Sequence, residues 1–265
     1  MKIAVCVKQI MDPEIPPPLF KIDPEAKKAV KMAGVEMVMS PFDEQAVEAA
    51  VQIKEKHETP DDVSIVLFSI GTSDAKDMLK HGLSMGADKA VLVSSEDFDV
   101  SDSFSTASVL VSAIESTGKP DLILTGRQAA DFDVGVVGAG VGELLNWPLV
   151  NWAKSIQLEN DNVTVERVLT DGADKVKCAL PLVISIANEF GEPRKPSLRE
   201  TMKSARKPID EVGKDALSSE DFLPKQATVD LFVPEKENNC QMIEGSSPSE
   251  IAAKLVSEIK ATKLI

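Results

Sequence analysis

The chain has 265 residues and a mass of 28.5 kDa, with 29 basic against 43 acidic side chains and a net charge of −14. That length allows one large domain or a domain with an appendage, and 43% hydrophobic residues can fill a core, which excludes a disordered chain. The acidic balance argues against nucleic acid or an anionic membrane as main partner, because both repel a protein of this sign.

Three cysteines, Cys6, Cys178 and Cys240, show no Cys-x-x-Cys spacing. This argues against a zinc ribbon or a disulfide scaffold and for a reducing compartment. Aromatic residues are 4% and tyrosine is absent, so a surface built to stack sugars or bases is not expected. Met1-Lys2 is followed by only five apolar residues before Lys8, and no apolar run approaches the roughly 18 residues of a membrane span. The expectation is a soluble cytoplasmic protein without membrane insertion.

Four short apolar runs, Ile3–Val7, Val63–Ser69, Lys89–Val93 and Asp121–Thr125, lack polar alternation, as strands buried on both faces do. Amphipathic stretches lie between them. Ser40-Pro41-Phe42-Asp43 reads as an N-cap, a proline at the first helical position and an acidic third position. Val47, Ala50 and Val51 then face inward, and Glu44, Glu48 and Lys54 take the wet face. A second helix is expected from near Ser73 to near Gly86, and a third from about Asp102 to Glu115. Strand and helix alternating at this spacing predict a doubly wound, mostly parallel α/β sheet of Rossmann-like topology.

Trp152–Leu158 and Val163–Leu169, separated by Glu159-Asn160-Asp161-Asn162, predict an added β-hairpin, and Val176–Ala187 is a further apolar run. A basic segment follows, with Arg194, Lys195, Arg199, Lys203, Arg206 and Lys207. The expected division is an α/β nucleotide-binding domain over 1–207 and an extension over 208–265 that wraps the domain or a partner; only Glu250–Ile259 looks helical there.

Hydrolytic machinery is hard to assemble. His57 sits in a charged helix end and His81 follows Lys80 on a helix, no Gly-x-Ser-x-Gly elbow or Walker A motif occurs, and the loop after the first strand has no glycine. No catalytic residues and no metal ligands are assigned. The informative segment is Thr125–Leu145. A buried strand ends in Gly126, a polar loop follows (Arg127-Gln128-Ala129-Ala130-Asp131-Phe132-Asp133), and a glycine-dense helix begins near Val134. A helix N-terminus suits a phosphate, and Gly135 and Gly138 allow close approach. Asp131 and Asp133 would accept from a ribose hydroxyl or cap the helix. The alternative is that the glycines serve tight helix–sheet packing. The loops Cys6–Ile10, Met39–Phe42 and Ser69–Ser73 should converge on the same sheet edge, with Cys6 offering backbone and its thiol buried.

These pieces also resemble the β subunit of electron transfer flavoproteins. The resemblance rests on IAVCVKQIMDP, MSPFDEQAVEAAVQIKEKH, LSMGADKAVLV, DLILTGRQAADFD with LLNWP, and EPRKPSLRETMKSARKPI, in the family's order and over about residues 1–209. It implies an electron carrier rather than an enzyme, paired with an α subunit that carries most of the contacts to FAD. It implies AMP in the β subunit, or a second FAD in electron-bifurcating members. Residues aligned with the nucleotide site are Cys6, Ser40, Pro41, Phe42, Ser69, Ile70, Arg127, Gln128, Asp131, Asp133, Val134, Gly135, Val136, Val137 and Gly138. Leu198 matches the leucine by which the family docks acyl-CoA or related dehydrogenases, and Arg194, Lys195 and Arg199 would form its cationic rim.

One departure stands out. Bifurcating members usually have Gly, Thr and Gln where this chain has Phe132, Val134 and Val136, which favours AMP; the Arg127-Gln128-Ala129 start and the long C-terminus lean the other way. The residue pattern by itself is also compatible with a free-standing adenine-nucleotide-binding protein. The proline-rich insert Asp12–Pro24 would face either the nucleotide site or the α subunit.

Overall fold

The computed structural model describes residues 1–159, 162–217, 222–234 and 240–263. Strand β1 (Lys2–Cys6) opens the chain. An excursion follows with β2 (Gln9–Met11), the small hairpin of β3 (Lys21–Asp23) and β4 (Lys28–Val30), and β5 (Met37–Met39), which returns antiparallel to β2. Then come α1 (Pro41–Lys56), β6 (Ser64–Gly71), α2 (Ala75–Met85), β7 (Lys89–Ser94), α3 (Ser103–Ser116), β8 (Leu122–Gly126) and α4 (Val137–Leu145). The rest comprises β9 (Leu149–Glu159), β10 (Asn162–Leu169), β11 (Gly172–Ala179), β12 (Leu182–Ile186), α5 (Leu198–Ser204), β13 (Ile209–Val212) and α6 (Pro248–Ala261).

The main sheet has nine strands in the order β11-β10-β9-β12-β8-β1-β6-β7-β13. All of its pairings from β9 to β13 are parallel, and the β10–β11 hairpin adds antiparallel strands at the other edge. This is the doubly wound α/β fold that the apolar runs predict. The four runs fall on β1, β6, β7 and β8, and the expected hairpin is β9 and β10. The run Val176–Ala187 divides into β11 and β12 at Pro181, which has no N–H to give a ladder.

Every residue of β8 and β12 is buried, as central parallel strands require. One face packs Ile3, Val5, Leu67, Leu122, Leu124 and Ile184 against Val47, Ala50, Leu79 and Leu83 of α1 and α2. The other packs Ala4, Phe68, Val91, Ile123 and Val183 against Val109, Ile114 and Val141 of α3 and α4.

The sheet continues past residue 208. Strand β13 pairs with β7 from Ile209↔Ala90 to Val212↔Val93. Beyond it, Phe222 is buried edge-to-face on Phe98, their centroids 5.0 Å apart, and Asp102 Oδ2 accepts from the Lys225 and Gln226 amides at 2.6 and 2.8 Å. The first compact unit therefore runs from Met1 to Leu231, and a second comprises Phe232–Ile265. In the second unit α6 is capped by Ser247, whose side chain accepts from the Glu250 amide, and it buries no residue.

Leu124 is fully buried at the centre of the sheet. Leu124→Ala should lower the unfolding free energy by about 2–5 kcal/mol in urea titration, the usual cost of a core leucine truncated to alanine.

Candidate functional site

The sheet order places β1 between β8 and β6. From β1 the chain winds toward β6 on one side and later returns to β8 on the other, so the loops leaving β1 and β8 part. In an open α/β sheet this is where a ligand crevice forms. The parting leaves the first amides beyond the ladder without strand partners. Asp43 supplies them: its Oδ2 accepts from the Lys8 amide at 2.8 Å and its Oδ1 from the Gly126 amide at 3.2 Å.

Asp43 is 6% exposed. Burial pushes its carboxyl up to about 7, against the downward pull of the Lys8 and Gly126 amides and the Lys8 charge. Burial, and secondarily Asp43, push the neighbouring Cys6 thiol up to about 12, so the thiol stays protonated. Gly126 is obligatory here, since a Cβ would stand 2.8 Å from the Phe42 carbonyl carbon and collide with the Asp43 carboxylate.

The helix start at Ser40 is where the sequence places it, with Pro41 first. The capping differs. Asp43 turns into the sheet, and Ser40 Oγ makes no cap but accepts from the Ala130 amide at 3.4 Å, tying α1 to the loop after β8. Lys8 reaches across the crevice to Asp131, Nζ to Oδ2 2.6 Å.

Gln128 Nε2 donates to Asp133 Oδ1 at 2.7 Å, and the Asp133 amide donates to the Ala129 carbonyl at 2.9 Å. Asp133 and Gly135 have φ of 52° and 70°. Left-handed backbone cannot continue a right-handed helix, so α4 begins at Val137 rather than near Val134. Neither Asp131 nor Asp133 caps it. The N-cap is Val136 with no side-chain cap, which leaves the first backbone N–H groups available.

Gly138 lies where a Cβ would meet Thr125 Oγ1 at 2.7 Å. Thr125 Oγ1 and Ser69 Oγ, at the carboxyl ends of β8 and β6, are buried without hydrogen-bond partners. Alternation puts Thr125 on the α4 face of the sheet and Ser69 on the α1 face, so only the Thr125 hydroxyl lies by the start of α4. An uncapped nine-residue helix, an unpaired hydroxyl beside its start and a cation at the rim fit a phosphate-bearing ligand in this crevice. Phe132, Val134 and Val136 are 60%, 57% and 48% exposed, so the outer wall of the loop is apolar.

Sequence reasoning misses four residues of this region. Asp43 reads as the acidic third position of a helix start, and Lys8 lies in a loop expected at the crevice without being singled out there. Trp152 hides in a strand, yet β9 buries Val150, Ala153 and Ile156 at a three-residue spacing, the mark of a bulge. Trp152 has φ 62° and carries the Arg127 guanidinium 5.2 Å from its ring centroid. The fourth is Glu48, assigned to the wet face but 5% exposed. Its carboxylate receives Arg194 (Nε to Oε2 2.7 Å), and Glu55 receives the same guanidinium at 2.6 and 2.9 Å. Burial would raise the Glu48 carboxyl, and the Arg194 hydrogen bonds outweigh it and hold it below its ordinary value.

Arg194 is thus committed inward, while Lys195 and Arg199 are exposed and Leu198 is 78% exposed at the first position of α5. Among the described residues no helix is long and apolar enough to cross a membrane, and no cluster of His, Cys, Asp and Glu is placed to hold a metal ion.

Fold and crevice together define a doubly wound α/β protein whose ligand site lies at the sheet's switch point. A profile of the electron transfer flavoprotein domain matches residues 27–217. The chain is 34% identical to the electron transfer flavoprotein subunit beta of Megasphaera elsdenii, covering 97% of this chain and 99% of that one. It is 33% identical to the corresponding Bacillus subtilis subunit over 98% of each chain. It is 31% identical, over the whole of both chains, to the caffeyl-CoA reductase-Etf complex subunit CarD of Acetobacterium woodii. The chain belongs to the electron transfer flavoprotein family, among its β subunits.

Two outcomes follow from the Asp43 bridge. Gly126→Ala should cost about 1–3 kcal/mol of stability in urea titration, as overpacking does. The folded Asp43 carboxyl lies above its ordinary 3.8, so its contribution to stability is fully present below about pH 4 and is lost as pH rises through about 7. The stability of the wild type relative to Asp43→Asn should therefore fall over that interval; equal slopes for the two proteins would refute the assignment.

Proposed function

We propose that this chain pairs with an α subunit, holds AMP in the crevice between the loops after β1 and β8, and docks an acyl-CoA or related dehydrogenase through the Leu198 tip. The observation that carries the reading is the uncapped N-terminus of α4 at the sheet's switch point, with the unpaired Thr125 hydroxyl beside Gly138 and Lys8 across the crevice. Gly135 and the amides of Val137 and Gly138 would receive the phosphate, with Arg127 and Lys8 at the rim. Asp131 and Asp133 would accept from the ribose once Lys8 and Gln128 release them. Ser40, Pro41, Phe42 and Ile70 would line the remaining wall.

FAD, held mainly by the α subunit, would supply the one- and two-electron chemistry. This chain would contribute binding and docking rather than proton transfer, which agrees with both histidines being tied to ordinary neighbours, His57 to Thr59 and His81 to Glu44. The exposed Leu198 with Lys195 and Arg199 beside it supports a transient contact with an apolar pocket and an acidic rim.

A second reading has support from the likeness to a subunit of the caffeyl-CoA reductase-Etf complex. Here the crevice would hold a second FAD, with Phe132, Val134 and Val136 packing along it. The deciding measurement is the nucleotide content of the complex purified with its α subunit, released by heat and resolved by chromatography. One FAD and one AMP per complex are expected; two FAD and no AMP would establish the second reading, and no flavin would overturn both. Asp131→Ala should empty the crevice and lower the melting temperature, because a ligand that binds only the folded state stabilises it.

A further inference from the structure

The polar residues Gln45, Glu48, Gln52 and Glu55 of α1 recur at intervals of three and four and so form one stripe of the helix. The segment 188–194 lies along it. Gln45 Nε2 donates to the carbonyls of Asn188 and Gly191, both at 3.3 Å. Glu48 accepts from the Arg194 amide at 3.1 Å, from Nε at 2.7 Å and from Nη2 at 3.1 Å, and Gln52 braces its other oxygen at 2.9 Å. Glu55 closes the second side of the guanidinium. Arg194 is thus forked on both edges, a geometry a lysine cannot reproduce.

Pro193 and Pro196 flank Arg194 and restrict the backbone around it. A capping box then starts α5: Ser197 Oγ accepts from the Glu200 amide at 3.3 Å, and Glu200 Oε2 from the Ser197 amide at 2.8 Å. Leu198 follows at 78% exposure.

We propose that Arg194, clamped between Glu48 and Glu55, is the positioning residue that mounts the Leu198 docking tip on α1. The proposal rests on the docking reading given above and deepens it. An apolar tip on a loose loop must be ordered when the partner arrives, and that ordering weakens binding. Fixing the base of the loop to a helix removes the cost beforehand. The same helix carries Phe42 and Asp43 at its first turn, so the tip and the crevice share one rigid element.

The test uses the complex with its α subunit and an acyl-CoA dehydrogenase with its acyl-CoA as electron donor. Arg194→Gln should raise KM for the dehydrogenase on the order of tenfold with kcat unchanged. Arg194→Lys, which keeps the charge but loses the fork, should fall between. Reduction of the flavin by dithionite should not change. Hydrogen exchange should quicken over 188–204 and stay as it was elsewhere.

Leu198→Ala separates the two readings. If Leu198→Ala raises KM and folded Arg194→Gln does not, the mount is overturned and docking stands. If Leu198→Ala leaves KM unchanged, docking at this tip fails, and the mount with it. Should Arg194→Gln unfold, Glu55→Gln opens only the more exposed fork; a KM unchanged in that variant and in Arg194→Lys would overturn the proposal.

Discussion

The carboxylate of Asp43 joins what the topology separates. A doubly wound sheet opens a crevice because neighbouring strands send their chains in opposite directions, and the same divergence strands the amides at the strand exits. In this protein one buried side chain from the first turn of α1 takes up both, at Lys8 and at Gly126. The need for glycine at 126, the inward turn of α1 at its start and the reach of Lys8 toward Asp131 follow from that placement. A carboxylate without a cation in direct contact is a costly bridge. Asp43 has two backbone donors instead, and its raised affinity for a proton records what burial still costs.

Much of the fold was legible in the residue pattern. Strands buried on both faces read as unbroken apolar runs, and the helices between them carry their caps and periodicity in plain view. What stayed hidden has a common cause, which is that tertiary partners reassign side chains that local pattern places on the surface. Glu48 fits a wet helix face until Arg194, 146 positions away in sequence, takes it inward. Trp152 fits a strand until a bulge turns its ring against Arg127. The residue pattern places the start of α4 three residues early, because the left-handed backbone of Asp133 and Gly135 leaves no mark in hydrophobic periodicity. The pattern offers Asp131 and Asp133 as ribose acceptors or caps; the structure removes the second option and leaves each aspartate with a partner a ligand would have to displace.

The electron transfer flavoprotein family and the crevice geometry bear on the proposed reading in different ways. The crevice offers the free backbone donors of an uncapped helix and one unpaired hydroxyl beside them. In the proposed reading, recognition falls to an exposed leucine set on a helix-anchored segment. On that reading, specificity of contact and retention of a nucleotide draw on different residues of α1, Glu48 and Glu55 for the one and Ser40 to Asp43 for the other.

Strand β13 has a consequence for how the chain reaches this form. It is four residues long, and its two acidic side chains meet Lys76 and Lys89 from the neighbouring α2 and β7. It covers the outer edge of β7, a strand completed more than a hundred residues earlier. During synthesis that edge, with its unpaired amides and carbonyls, waits until Ile209–Val212 emerge. A fragment ending before β13 would keep both hydrophobic layers yet present an open parallel edge, the template on which chains join one another instead of folding alone. The short acidic strand thus works as a seal against self-association, and the chain is safest when its synthesis runs through it without pause.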